Sequence, residues 1–241
     1  MFHFEEGEVF LIDKPLDWTS FDVVNLIRAV IKRYHGIRKL KVGHAGTLDP
    51  LATGLLIVCT GRMTKQIDNF QAQEKVYTGT MLLGQTTPTY DLESEPDAFY
   101  PTDKITEEMM YEARKSFMGD VMQRPPKFSA IKIQGKRAFE YARSDKEIAL
   151  KERLVHIEDF RLDTENFPEV KFEVKCSKGT YIRSLINDFG KKLNSGACLT
   201  SLRRTKIGEF SVDNAHDLME LKKEIIETGI VEDNQLPENQ S

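Results

Sequence analysis

The fold of this chain is decided by the run Gly43-His44-Ala45-Gly46-Thr47-Leu48-Asp49-Pro50-Leu51-Ala52-Thr53-Gly54. Its three glycines and its proline exclude a regular helix or a central strand, so the sequence specifies a defined loop. Asp49, the one carboxylate of the run, has two equally good local interpretations. It fits a helix N-cap followed by proline at the first helical position, and it fits an acidic group held in place for chemistry. Taken alone, His44 is more often a turn residue than a functional one.

A basic segment lies just before this loop. Residues 28–41 hold six cations and no acid, namely Arg28, Lys32, Arg33, Arg38, Lys39 and Lys41. Such a patch indicates a polyanionic partner. Because a carboxylate repels phosphates, Asp49 beside this patch needs a purpose that outweighs the repulsion, and catalysis on a bound nucleic acid is one.

A second basic segment mixes cations with aromatic residues. Residues 124–143 hold one acid, Glu140, and the cations Arg124, Lys127, Lys132, Lys136, Arg137 and Arg143. Phe128, Phe139 and Tyr141 are interleaved with them. This mixture suits looped or single-stranded RNA, through phosphate pairing and base stacking. A solvated hairpin and helix explains the same pattern equally well.

The composition describes an ordinary globular protein. The 241 residues are 40% hydrophobic and 30% charged, enough for one large domain or two small ones. No apolar run approaches the length of a membrane span or a signal peptide, so we expect a cytoplasmic protein. Cys59, Cys176 and Cys198 lack metal-ligand spacing and predict reduced, partly buried thiols. We find no nucleotide-cofactor loop either, so we expect side chains alone to carry the chemistry.

Strand and helix patterns alternate without strict order, which predicts an α+β fold. Strands are expected at residues 8–12, 55–60, 75–83, 154–162, 170–176 and 204–212. Helices are expected from the caps Thr19 or Ser20, over 106–118, from about 180 to a stop at Gly190, and over 215–227. Residues 91–101 read as an acidic surface loop.

The loop of residues 43–54 resembles the signature loop of the TruB family of pseudouridine synthases, which isomerise a uridine in the T arm of tRNA. The resemblance covers about residues 8–212. Its other segments are Asp13-Lys14-Pro15 with Thr19-Ser20, Glu74-Lys75-Val76-Tyr77, Gly84 with Thr87, Thr89 and Asp91, Gln123 to Ala130, Gly135-Lys136, Glu140 to Arg143, Ser177 to Leu185, Leu202 to Thr205, and Gly208-Glu209-Phe210.

The resemblance implies a pseudouridine synthase fold, with a mixed, mostly antiparallel central sheet flanked by helices. It implies a catalytic domain over residues 1–212 with a thumb-like RNA-binding insertion at about 124–150. We expect residues 213–241 to form an acidic helix and tail rather than a complete C-terminal PUA domain. It also implies conversion of the uridine at tRNA position 55 to pseudouridine, without metal or cofactor. The expected partner is the tRNA T stem-loop, bound by a monomer that needs no protein partner and no membrane.

The resemblance also assigns roles by position. Asp49 is implied to be the essential catalytic carboxylate, and Arg183 to pair with it and position it. Tyr77 is implied to stack on the target base, with a part in proton transfer at C5, and Tyr181 to contact the flipped uridine. Leu202 and His44 are implied to form an apolar pocket wall and to fill the space that the base vacates. The implied RNA-binding residues are Arg28, Lys32, Arg33, Arg38, Lys39, Lys41, Lys127, Lys132, Lys136 and Arg137.

Some of these residues also fit a structural interpretation without a catalytic role. Tyr77, Tyr181 and Leu202 fit plain core packing. Arg183 lies in the first turn of a predicted helix, where the helix dipole disfavours a cation, so it either gains a carboxylate partner or is an exposed surface arginine.

Two other functions remain as alternatives. The first is an RNA-binding or tRNA-folding protein whose catalysis is secondary. The second is a guide-RNA-dependent synthase resembling dyskerin, against which the thumb-like insertion and the expected lack of a PUA domain speak.

Overall fold

The computed structural model describes residues 1–129 and 150–233, with the backbone alone at 132–133, 136–137 and 230–233. The chain forms two compact units, one made of Met1–Gln73 with the segment from Arg203 onward, the other of Glu74–Leu202. None of the helices in these ranges combines the length and the apolar composition needed to cross a bilayer.

The first unit is a mixed sheet with helices. Its strands are β1 (Val9–Lys14), β2 (Val42–His44), β3 (Ala52–Thr60), the end of β12 (Ala197–Ile207), β13 (Phe210–Ser211) and β14 (His216–Asp217). Its helices are α1 (Ser20–Tyr34), α2 (Ile67–Ala72) and α5 (Leu218–Asp233), with 3-10 turns at Gly61–Gln66 and Val212–Asn214. Strand β14 pairs parallel with β1, which pairs antiparallel with β3. Strand β3 also pairs with β2 and neighbours β12.

Helix α1 begins where the sequence predicts. Thr19 is its N-cap and forms a reciprocal capping box with Asp22, which satisfies backbone donors at the first turn. The predicted apolar stripe of the helix is buried, and it packs in one core with β1, β3 and α5. Strand β3 is buried on both faces, because Leu56 and Val58 join this core while Leu55 and Ile57 join a second one. This explains the continuous apolar run after the signature loop.

The second unit is built on antiparallel pairs. Its strands are β4 (Lys75–Leu83), β5 (Gln85–Thr86), β6 (Ala98–Phe99), β7 (Gly119–Gln123), β8 (Lys132–Ile133), β9 (Lys136–Arg137), β10 (Arg153–Asp163), β11 (Glu169–Cys176) and the start of β12. Its helices are α3 (Glu107–Lys115) and α4 (Ile182–Lys192). The main order is β12-β4-β11-β10-β7, with β5/β6 and β8/β9 as separate pairs. The predicted α+β class, a mixed sheet with flanking helices, is confirmed.

Three helix predictions are wrong at their ends. The helix predicted over 106–118 ends at Lys115, and the unpredicted edge strand β7 follows it. Gly190 does not stop α4, which continues to Lys192 before Asn194 takes a left-handed conformation with φ 52°. Gly190 instead allows close packing, because a Cβ there would lie 2.4 Å from the backbone nitrogen of Ala197. The final helix begins at Leu218 rather than at residue 215.

Three other local interpretations are corrected. No helix follows Asp49, because the Ala52 N–H donates to its carbonyl oxygen in a tight turn and β3 begins there. The helix-cap interpretation of Asp49 is therefore wrong. The strand predicted over 204–212 begins earlier, at Ala197, and ends at Ile207. Asp91, the first residue of the predicted surface loop, is buried.

Candidate active site

The part of the signature loop that precedes Asp49 is held by backbone and side-chain hydrogen bonds. The Ala45 N–H donates to the Ile57 carbonyl at 2.9 Å, which continues the β2/β3 pairing into the loop. The buried Ser20 hydroxyl accepts from the Leu48 N–H at 2.8 Å and lies 3.2 Å from its carbonyl oxygen. The loop is thus anchored to the first turn of α1, immediately before the half-buried Asp49.

Lys14 places a buried amine against the other side of the loop. Its Nζ is enclosed by the carbonyl oxygens of Pro15 at 2.8 Å and Trp18 at 2.6 Å, with Pro50 at 3.4 Å. Burial lowers the pKa of Lys14 to about 8, although the nearby Asp49 carboxylate opposes this shift. Lys14 is therefore mostly charged at neutral pH and attracts Asp49.

The buried side chain of Arg204 donates hydrogen bonds to the backbone of the signature loop and of β3. It is 1% exposed, and its Nε and Nη2 donate to the carbonyl oxygens of Leu55 at 2.8 Å and Gly46 at 3.1 Å. Gly54 is required here, because it has φ +102° and a Cβ would lie 2.3 Å from the Arg204 carbonyl oxygen. Burial, assisted by the Arg204 charge, lowers the pKa of His44, so this ring is neutral at pH 7.

The second unit carries the predicted Arg183, which has a carboxylate partner that the sequence did not assign. Arg183 Nε lies 3.5 Å from Asp91 Oδ2, and both side chains are 5% exposed. Its Nη1 and Nη2 each donate at 3.0 Å, to the carbonyl oxygens of Thr89 and Phe128. The surface-arginine interpretation is wrong, while pairing of Arg183 with Asp49 stays a prediction.

The Asp91 carboxylate is itself held by local geometry. The Thr87 hydroxyl donates to the Asp91 carbonyl at 2.6 Å, and the Glu93 N–H donates to its Oδ1 at 3.0 Å. The preceding residue, Tyr90, has a left-handed φ of 66°, which is uncommon for a bulky side chain. Strain of this kind persists where the surroundings fix a conformation, often at functional sites.

The remaining predicted pocket residues also lie in the second unit. Tyr77 is on β4 and is 9% exposed, while the half-buried Leu202 is on the neighbouring strand β12. Tyr181 is half-buried and directly precedes α4, two residues before Arg183. Their predicted contacts with uridine stay predictions.

The predicted RNA-binding residues differ in their surroundings. Five of the first segment are exposed, namely Lys32, Arg33, Arg38, Lys39 and Lys41, and so is Lys127. Arg28 is half-buried and donates to Asn25 and to the Val42 carbonyl at 3.0 Å, so it also ties α1 to β2. The side chains of Lys132, Lys136 and Arg137 lie outside the described residues.

The sequence reasoning gave no role to Asp91, Lys14 or Arg204. Asp91 is separated from Arg183 by most of the second unit, so no local pattern links them. Lys14 did leave a signal, because it continues the period-2 alternation of the buried residues Phe10 and Ile12 in β1. Nothing local marks Arg204 as more buried than its neighbour Arg203.

The fold and the signature loop together define a pseudouridine synthase. The N-terminal domain of the TruB family of pseudouridylate synthases matches residues 32–182, and the C-terminal domain of tRNA pseudouridylate synthase B matches residues 183–237. The chain belongs to the TruB family, as its sequence resemblance predicts.

Bacterial relatives match most of the chain. It is 53% identical over 214 residues to tRNA pseudouridine synthase B of Flavobacterium johnsoniae, covering 88% of this chain and 93% of the relative. It is 54% identical over 210 residues to the protein of the same name from Parabacteroides distasonis, covering 87% and 89%.

A solved structure shares the fold. It is an H/ACA ribonucleoprotein bound to a substrate RNA containing 2'-deoxyuridine, with a TM-score of 0.66 and 25% identity. The match covers 98% of this chain and 57% of the solved one.

Proposed function

We propose that this chain converts the uridine at position 55, in the T arm of tRNA, to pseudouridine, with Asp49 as the essential carboxylate. The observation that carries the proposal is the construction of the signature loop. Ser20, Lys14 and Arg204 fix its backbone around Asp49, although two of the three are buried cations that are expensive to enclose. This free-energy cost is reasonable where one carboxylate must be positioned for chemistry.

The chemistry explains why a carboxylate is needed. The glycosidic bond to N1 must break, the base must rotate, and a bond from C1' to C5 must form. A carboxylate can attack the base, attack the sugar or remove a ribose proton, and all three routes require it to be ionised. The Lys14 ammonium favours the ionised form of Asp49, because an adjacent positive charge stabilises a carboxylate.

The other site residues receive roles around the target base. A base inside a folded T arm cannot be reached, so it must be flipped out of its stack. Tyr77 would supply a stacking surface that offsets the cost of unstacking, with Leu202 as an apolar wall and Tyr181 in contact with the uridine. The neutral His44 ring suits the space that the base leaves, because a neutral aromatic ring stacks without bringing a buried charge.

In this proposal Arg183 would interact with two carboxylates, those of Asp91 and Asp49. Arg183, held by Asp91 in the second unit, is proposed to position Asp49 as the resemblance implies. In this arrangement Asp91 is a positioning residue, because its carboxylate and the carbonyl oxygens of Thr89 and Phe128 together fix the guanidinium plane.

The basic residues would bind the RNA backbone. The exposed cations of residues 32–41 and Lys127 are proposed to contact phosphates of the T arm. Most of the proposed RNA-binding insertion at 124–150 lies outside the described residues. The catalytic domain would span residues 1–212. We propose that a monomer acts on tRNA in the cytoplasm without a protein partner, a metal or a cofactor.

The test measures tritium release from unmodified tRNA labelled at uridine C5. We expect the wild type to release one tritium per tRNA and Asp49→Asn to release none while still binding tRNA. Asp17→Asn is the matched control, because Asp17 neighbours the same loop and asparagine tolerates its left-handed φ of 63°. Turnover by Asp49→Asn would refute the assigned role of Asp49.

The same assay separates the alternative functions. The purified chain is tested with tRNA alone and no guide RNA. Tight tRNA binding with no tritium release by the wild type would favour the tRNA-folding protein, and release only with an added guide RNA would favour the guide-dependent class.

A further inference from the structure

The backbone of Tyr181 is clamped by a side chain from the edge of the sheet. Gln123 Nε2 donates to the Tyr181 carbonyl at 3.0 Å, and the Tyr181 N–H donates to Gln123 Oε1 at 2.7 Å. One carboxamide thus satisfies both backbone groups, as a neighbouring strand would. Gln123 is 3% exposed, so this clamp is screened from water and fixes the residue just before α4.

The ring of Tyr181 is covered by a guanidinium. Arg153 Cζ lies 4.4 Å from the ring centroid, a short cation–π distance. Its Nε is buried and has no hydrogen-bond partner among the described residues. On another side, a Cβ on Gly179 would touch the guanidinium at 3.6 Å. Arg153 is therefore held as a plate against the ring.

The two contacts come from one rung of the sheet. Arg153 and Gln123 are direct register partners on β10 and β7. A neighbouring part of β10 binds the start of the segment 177–181 that leads to Tyr181. The His156 N–H donates to Ser177 Oγ at 2.9 Å, and the Ser177 N–H donates to the His156 carbonyl at 2.8 Å. The sheet edge, and not α4 alone, determines where the Tyr181 ring lies.

We propose that Arg153 is a positioning residue for the reaction, holding the Tyr181 ring in the orientation that the flipped uridine needs. With the guanidinium on one face, a base can stack only on the other face. Removing the plate frees the ring to occupy other rotamers, which lowers the fraction of bound complexes in a reactive geometry. The inference rests on the proposed contact of Tyr181 with the target uridine.

The experiment is a double-mutant cycle under single-turnover conditions with tRNA labelled at uridine C5. We expect Arg153→Met to lower the rate of tritium release about 10-fold, with the tRNA dissociation constant changed less than about 2-fold. The loss should persist in a Tyr181→Phe background, which keeps the ring, and disappear in a Tyr181→Leu background, which removes it. Arg161→Met is the matched control on β10, because that arginine is exposed and pairs with Asp159 on the surface.

Several outcomes would overturn the inference. One is the same loss from Arg153→Met in the Tyr181→Leu background. Another is a larger tRNA dissociation constant with a shallower salt dependence of affinity and an unchanged rate of tritium release, which is the behaviour of a phosphate contact. A third is no difference from Arg161→Met. Arg153→Lys, which keeps the charge without the plane, replaces Arg153→Met in the cycle if thermal melting shows that the latter is unfolded. Failure of the proposed function is distinct, because the wild type itself would then release no tritium.

Discussion

The buried amine of Lys14 predicts an unusual dependence of stability on pH. Its pKa is lowered from 10.5 to about 8, chiefly by burial, while the Asp49 carboxylate opposes the shift. Between these pH values the folded protein has released a proton that the unfolded chain still binds. Stability therefore rises with pH across this window, since the unfolded state binds more protons. Replacing Lys14 by methionine removes this contribution.

The magnitude follows from the width of the window. One pH unit of differential protonation is worth about 1.4 kcal/mol, so the range from about pH 8 to pH 10.5 corresponds to about 3 kcal/mol. Lys14→Met also loses the contacts with the carbonyl oxygens of Pro15 and Trp18, and this loss is present at every pH. The ionisation of the Lys14 amine is therefore reported only by how the difference in unfolding free energy between wild type and variant changes with pH.

The assay is urea unfolding followed by tryptophan fluorescence from pH 7.5 to pH 10.5. Trp18 is the only tryptophan of the chain, and its carbonyl oxygen accepts from Lys14, so it reports this part of the first unit. Lys104→Met, at an exposed lysine, controls for loss of a surface lysine. A difference between wild type and Lys14→Met that stays constant within about 0.5 kcal/mol across the range would refute the lowered pKa.

Three further predictions test the rest of the site. Asp91→Asn leaves the buried Arg183 cation without its carboxylate and should cost about 3 kcal/mol in urea unfolding and slow tritium release; unchanged stability would exclude the buried pair as a support. Lys41→Gln should make the slope of log affinity against log salt less steep by about 0.8, and an unchanged slope would place Lys41 away from phosphates. Gly54→Ala should lower stability by about 2–4 kcal/mol, because a Cβ meets backbone at 2.3 Å, whereas Gly36→Ala, with nothing within 4 Å, should cost about 1 kcal/mol; equal losses would contradict the close packing.

Helices and strands with strong local sequence patterns were predicted correctly. Thr19 with the apolar stripe of α1, and the alternation in β4 and β11, gave the correct type and nearly correct bounds. Strand β7 was missed because it has five residues at a sheet edge and its alternation is weak. The first half of β12 was missed because Ala197, Cys198 and Leu199 are all buried, so no exposed residue marks a period of two.

The candidate site could be predicted only where its residues are neighbours in sequence. Residues 45–51 form the predicted loop, whereas the two ends of the run belong to strands β2 and β3. The structure also removed the helix-cap alternative for Asp49. The place of Arg183 in the first turn of α4 left open a carboxylate partner or a surface position, and Asp91 could not be found from spacing. The contacts of Arg183 with Thr89 and Phe128 join segments 94 and 55 residues away, and contacts at that range depend on the sheet order.

The charge balance of the loop bears on how its carboxylate would coexist with the proposed phosphate contacts of residues 32–41. The hydrogen bonds that Lys14 and Arg204 make within the first unit go to backbone carbonyl oxygens. These oxygens satisfy the donors without cancelling the two positive charges, which remain to offset the negative charge of Asp49. At neutral pH, where Lys14 is mostly protonated, both cations therefore offset the charge of Asp49, while Asp17 and Asp22 also lie near Lys14. Above about pH 8 the amine loses its proton and Asp49 is less compensated, so we expect stronger repulsion of the proposed phosphate ligand. We therefore predict that deprotonation of this amine raises the stability of the protein and weakens its proposed binding of RNA as the pH rises.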